Sequence, residues 1–187
     1  MTAPARPRRA DAVRNAEKVL EAARQVFAER GTEAGVDEVA LRAGVGKATV
    51  YRCYATKDEL LAAVAGARVR WFTALVLEAV DADDAWLAFR HLLRTTADNH
   101  AQNAILTTGL GDVVETAELQ ASRAECRAAL QELLERAKAQ GRVRADATAR
   151  EVTVLFCGVS RTLLEEREQD VEVWRRYADL VTDAFRA

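Results

Sequence analysis

Residues 46 to 54, GKATVYRCY, hold side chains suited to the edge of a nucleic acid. Lys47, Tyr51 and Arg52 are hydrogen-bond donors, and Ala48 is slim enough to let a backbone come close. At about 100° per residue, Val50, Cys53 and Tyr54 gather on one side of a helix. Lys47, Ala48, Tyr51 and Arg52 fall on roughly the opposite side, with Thr49 on the flank. A helix divided in this way can be held to its own protein by the apolar face while the polar face enters a major groove. The alternative is a surface hairpin whose polar face is merely solvated.

The flanking residues supply a corner to hold such a helix. Val36, Val39, Ala40 and Ala43 recur at i, i+3, i+4 and i+7, the buried stripe of a short helix. Gly44 follows where the chain must turn sharply, Val45 anchors the turn, and Gly46 is a permissible N-cap. Ala40 is small where a second helix must cross closely. Before the corner, Val13, Ala16, Leu20, Ala23 and Phe27 form one apolar stripe, which predicts a helix over residues 10–29 ended by Gly31. After it, Thr56 and Glu59 form a capping box. A long helix is then expected over residues 57–80, with Leu61, Val64, Trp71, Leu75 and Ala79 inward and Gly66 marking a junction between domains.

Residues 14 to 64 resemble the DNA-binding region of the TetR family of bacterial transcriptional regulators. The resemblance rests on Phe27-Ala-Glu-Arg-Gly31, Val39-Ala-x-x-Ala-Gly-Val45, Thr49-Val-Tyr-Arg52 and Thr56-Lys-Asp-Glu-Leu60. The segment departs from the pattern TLYRHFPSK at Cys53, Tyr54 and Ala55, where His, Phe and Pro are common. The resemblance implies phosphate contacts from Lys47, Tyr51 and Lys57 and base-edge contacts from Ala48, Thr49 and Arg52. Gly46 and Tyr54 complete the implied DNA-binding set. It further implies a homodimer on a palindromic double-stranded operator and a small-molecule effector bound in the second domain.

Composition agrees with an all-α chain. Of 187 residues half are hydrophobic, and the two prolines both fall within the first seven positions. The expected organisation is a basic arm at 1–9, a three-helix helix-turn-helix DNA-binding domain at 10–56, and a helical effector-binding and dimerisation domain at 57–187. Net charge is −2, so bulk charge announces no nucleic-acid partner; residues 1–66 nevertheless carry 11 Lys and Arg against 9 Asp and Glu. Arg6, Arg8, Arg9 and Arg14 in the arm suit either phosphate or minor-groove contact, or simple solubilising charge. The first residues contain no secretory signal, no apolar run is expected to approach a membrane span, and three cysteines show no CxxC spacing. A cytoplasmic protein with reduced thiols is expected.

The second half carries no comparably specific motif. Helices are expected over 84–101, over 116–140, from 146 or 148, and over 171–186, with a short helix and a bend at Gly109 and Gly111. That makes nine. Large aromatics beside the bend suggest an effector cavity bordered by Trp71, Trp86, Phe89, His100 and Ile105. Arg68, Arg70, Arg90 and Arg94 are read as solvated, with anion recognition as the alternative. The last two helices are expected to form the dimer through Val159, Leu163, Trp174, Val181 and Phe185. Catalytic residues, metal ligands and a cofactor are not expected: His91 and His100 lie out of phase on one helix, and neither a serine elbow nor a phosphate loop occurs. Two other classes remain open. A DNA-organising protein would have a sealed core, and an α-helical enzyme would converge polar groups in an enclosed pocket.

Overall fold

The computed structural model describes residues 6–102 and 115–187. These form eight α-helices: α1 (Arg6–Arg30), α2 (Val36–Ala43), α3 (Lys47–Cys53), α4 (Lys57–Val80), α5 (Ala85–Gln102), α6 (Ala117–Ala139), α7 (Ala149–Glu165) and α8 (Val171–Asp183). Among the described residues, extended pairing is limited to an isolated antiparallel bridge between Val143 and Arg186. The bend expected at Gly109 and Gly111, its short helix and Ile105 lie outside the described residues.

The helix starts are set by side chains that satisfy the otherwise unpaired first N–H groups. Thr56 Oγ1 accepts from the Glu59 amide at 3.1 Å, Asp84 Oδ1 from Leu87 at 2.9 Å, and Thr116 Oγ1 from Leu119 at 3.2 Å. Of the two starts expected for α7, Thr148 is the cap. Its hydroxyl accepts from the Glu151 amide at 3.2 Å while Glu151 reaches back to the Thr148 amide at 2.8 Å. Helix α1 begins four residues earlier than its apolar stripe suggests, and Val13 in that stripe is exposed. The cause is packing: the N-terminal core takes Val19, Ala22, Ala23, Val26 and Phe27, so the first turns of α1 project past it.

Two cores share α4. The N-terminal one joins α1, α2 and α3 through Val36, Val39, Ala40 and Val50, and it also takes Leu60, Leu61 and Val64 from α4. The first two turns of α4 therefore belong to the N-terminal core. Val76, Ala79 and Val80, farther along the same helix, enter the C-terminal core. Gly66 sits between these groups, but the helix runs through it without a break. The expectation that no segment is apolar enough to span a membrane is corrected here. Helix α4 is long enough, with a mean hydropathy of 1.6 over its best window. Its apolarity has another use, since it packs against α1, α5 and α6.

The C-terminal core holds α4, α5, α6, α7 and α8 together. Trp86 and Phe89 lie deep in it, their ring centroids 6.2 Å apart, and Phe89 meets the edge of Phe185 at 6.2 Å. The segment after α6 closes this end. The Arg144 amide donates to the Phe185 carbonyl at 3.0 Å, and the Ala187 amide to that of Arg142 at 3.1 Å.

Candidate nucleic-acid interface and ligand cavity

The corner between α2 and α3 is built as its residues suggest. Gly44 takes a left-handed conformation, φ 66° and ψ 33°, and the Val45 amide donates back to the Ala40 carbonyl at 3.0 Å. A side chain at Gly44 would strain that turn. Glu38 Oε1 accepts from the Gly35 amide at 3.2 Å and fixes the start of α2. Val50 is buried and pins α3 to the N-terminal core. Gly46, Lys47, Ala48, Tyr51 and Arg52 are exposed together, while Thr49, Tyr54 and Lys57 are half-buried.

Internal contacts order this face. Arg52 Nη2 donates to Thr49 Oγ1 at 2.8 Å, which holds the guanidinium over the helix. Lys47 Nζ pairs with Asp37 at 2.8 Å, which raises its pKa through that hydrogen bond and charge. The pair is exposed and thus weak, so a phosphate can replace the carboxylate. Tyr54 is the exception to the outward set: it packs on the N-terminal core, and burial pushes its phenol pKa up. Ala55, where relatives of this pattern carry proline, donates its amide to Glu59 Oε2 at 2.8 Å, a bond proline could not make.

The C-terminal domain contains a cavity of about 650 Å³ walled by α4, α5, α6 and α7. Of the residues expected there, Trp71 and His100 line it. Trp86 and Phe89 do not: both are buried in the neighbouring core, Trp86 beneath the Arg186 guanidinium at 5.4 Å. Aromatic size announced burial in the sequence but gave no sign of which side of α5 faced the void. Phe72, Leu93, Leu130 and Phe156 supply much of the remaining apolar wall. Arg90 and Arg94 stay outside, both paired with Asp179, at 3.2 and 2.6 Å. Arg70 is exposed, 3.7 Å from Glu118. Arg68 alone of that group lines the cavity.

A polar relay crosses the cavity wall. Arg68 Nη2 contacts His100 Nε2, and His100 Nδ1 lies 3.2 Å from Ser160 Oγ. Burial, and then the Arg68 charge, pushes the His100 pKa down to about 3, so the ring is neutral. A guanidinium only donates. Nε2 is therefore the acceptor, and Nδ1 carries the hydrogen that is donated to Ser160. The imidazole presents no lone pair to the serine hydroxyl and cannot take its proton, as nucleophilic catalysis would require. Burial likewise pushes the thiols of Cys126 and Cys157 at this wall above their ordinary range. Cys157 retains surface exposure at the cavity margin. Thiols held protonated are poor nucleophiles.

The dimer residues expected on the last two helices are corrected. Leu163, Trp174, Val181 and Phe185 are buried inside one protomer, and Val159 packs against the same core. The Trp174 indole also donates to the Glu168 carbonyl at 3.1 Å. On α7 and α8 the apolar residues left on the outside are Val154, Leu155, Tyr177 and Leu180, each 40% exposed or more. Gly158 lies on the same face of α7 with open space around it.

Comparison with known proteins follows this division. A model of bacterial regulatory proteins of the tetR family matches residues 19–64, and one of the C-terminal domain of SbtR-like transcriptional regulators matches residues 63–187. The HTH-type transcriptional activator FasR of Mycolicibacterium smegmatis is 34% identical over 99 residues, covering 52% of this chain and 39% of that protein. The chain thus matches well under half the length of that relative. The crystal structure of a TetR transcription regulatory protein from Mycobacterium vanbaalenii is 32% identical, with 97% of this chain and all of that chain covered and a TM-score of 0.63. A TetR transcriptional regulator of Streptomyces coelicolor is 28% identical over 91% of this chain and 98% of its own, with a TM-score of 0.66.

Proposed function

Since the chain belongs to the TetR family of bacterial transcriptional regulators, we propose that it works as a cytoplasmic homodimeric repressor, released from a palindromic operator by a small molecule. The observation that carries this reading is α4, one unbroken helix of 24 residues with a different partner at each end. Leu60, Leu61 and Val64 fasten it to the domain bearing α3, and Arg68, Trp71 and Phe72 face the cavity. A ligand that favours one placement of α4 must bias the placement of α3. Operator affinity and effector affinity are then linked, and a tenfold release requires about 1.4 kcal/mol of coupling.

In this reading Lys47, Tyr51 and Lys57 hold phosphates, Ala48, Thr49 and Arg52 approach base edges, and Gly46 and Tyr54 shape the two ends of α3. The basic residues Arg6, Arg8 and Arg9, which open α1 rather than precede it, would add phosphate contacts beside α3. Selection of bound duplexes from a random pool tests the core of the reading. An inverted repeat should emerge, with half-sites about one helical turn apart. Enrichment of no sequence would contradict it.

The dimer is proposed on the outer face of α7 and α8, through Val154, Leu155, Tyr177 and Leu180, with Gly158 allowing close approach. One helix-turn-helix reads only a few base pairs, and a two-fold protein matches a palindrome. Leu180→Glu places a charge in that interface without touching the protomer core. Sedimentation should find the native chain dimeric at micromolar concentration and the variant monomeric yet fully helical. A monomeric native chain would remove this interface from the account.

A further inference from the structure

The chemistry of the cavity is most legible at Arg68. This residue stands on α4 in a wall shared with Trp71, Phe72, Leu93 and Leu130. Its one hydrogen-bonded partner among the described residues is His100, and it forms no ion pair with a carboxylate among them. Of the other charged groups of the wall, Arg123 pairs with Glu115 at 2.6 Å, Arg161 pairs with Glu165 at 2.8 Å, and Arg127 is exposed to solvent, whereas Arg68 is half-buried. Burial pushes the Arg68 pKa down to about 10, which still leaves the guanidinium charged at neutral pH. His100 is neutral and offers no counter-charge.

A cation held beside apolar surface with only a neutral partner is costly unless an anion joins it. Arginine has five N–H donors, of which His100 accepts one. The remaining donors include a planar edge matched to the two oxygens of a carboxylate. Ser160 fixes the other end of the imidazole, so Arg68 is aimed rather than loose.

Taking the cavity to be the effector site, as proposed above, we infer that the effector is an amphipathic organic acid. Its carboxylate meets the Arg68 guanidinium, and its apolar body lies along Trp71, Phe72, Leu93 and Leu130. The attraction acts directly on α4, the helix shared with the DNA-binding core.

Displacement of Nile red, a neutral dye, from the full-length protein tests this at fixed ionic strength. The competitors are decanoate, decan-1-ol and decyltrimethylammonium, each below its micellar concentration. Decanoate should displace the dye at a concentration at least about tenfold lower than decanol, and the cation should not displace it. Arg68→Met should bring decanoate to the level of decanol while leaving decanol unchanged, and Arg68→Lys should keep part of the preference. Helical circular dichroism and dye binding report whether each variant folds. If Arg68→Met does not fold, the head-group comparison in the native chain and in Arg68→Lys decides. Equal displacement by decanoate and decanol, or an undiminished preference in Arg68→Met, would overturn the acid and leave the cavity reading standing. Failure of the native chain to bind the dye or any competitor would overturn the cavity reading and the acid with it.

Discussion

Arg52→Ala should lower affinity for the operator by about 1–3 kcal/mol at each half-site, and a symmetric dimer carries the loss twice. The side chain is exposed on α3 and steadied by Thr49 at 2.8 Å, so its fork reaches the groove already ordered. Specificity should relax mainly at the base pair it reads. Lys57→Ala provides the contrast. A lysine on a phosphate contributes alike to every sequence, so its loss should weaken all duplexes together and reduce the salt slope by roughly one for each contact removed. Mobility shifts across a salt series separate the two. Unchanged affinity in Arg52→Ala, at every sequence tested, would remove α3 from the role of reader.

Phe89→Ala should cost about 3–5 kcal/mol of stability, since a fully buried ring would leave a void among Trp86, Phe185 and the helices around them. For a chain of this size the melting temperature should fall by roughly 6–20 °C. Trp71→Ala should cost less, because that ring is half-buried and borders space that is already empty. Thermal and denaturant melts of the two variants check the assignment of one aromatic to the core and the other to the cavity. Equal losses would mean that the wall between them is drawn in the wrong place.

The contrast between these two aromatics shows how far the sequence could be read. The helix-turn-helix was legible because its determinants are local. Val50 faces inward, Gly44 turns and Thr56 caps within a stretch of thirteen residues, and each has a job that its neighbours reveal. The cavity is instead a joint property of four helices. His100 and Ser160 are sixty residues apart and meet only when α5 and α7 pack, so no spacing could announce them. At the C-terminus, Trp174, Val181 and Phe185 were expected to meet a partner chain and are instead buried. Periodicity says that a face is buried, not what covers it, and here the cover is the protomer's own core. Tyr177 and Leu180 remain exposed, and it is on them that the proposed dimer face rests. Arg68 was legible as a cation but not as one facing a cavity. Its distinction from Arg90 and Arg94 depends on Asp179, which lies far along the chain.

The central claim is that two α3 helices in one dimer read two half-sites on the same face of a duplex. The most direct measurement is the affinity of the full-length protein for a selected operator before and after about half a helical turn, roughly 5 base pairs, is inserted between the half-sites. That insertion leaves every base of both half-sites intact but carries one to the opposite side of the DNA. Affinity should fall to the level of an isolated half-site, and a full-turn insertion should not mimic the change of face. Affinity unaltered by the half-turn insertion would contradict a dimer that reads both half-sites together.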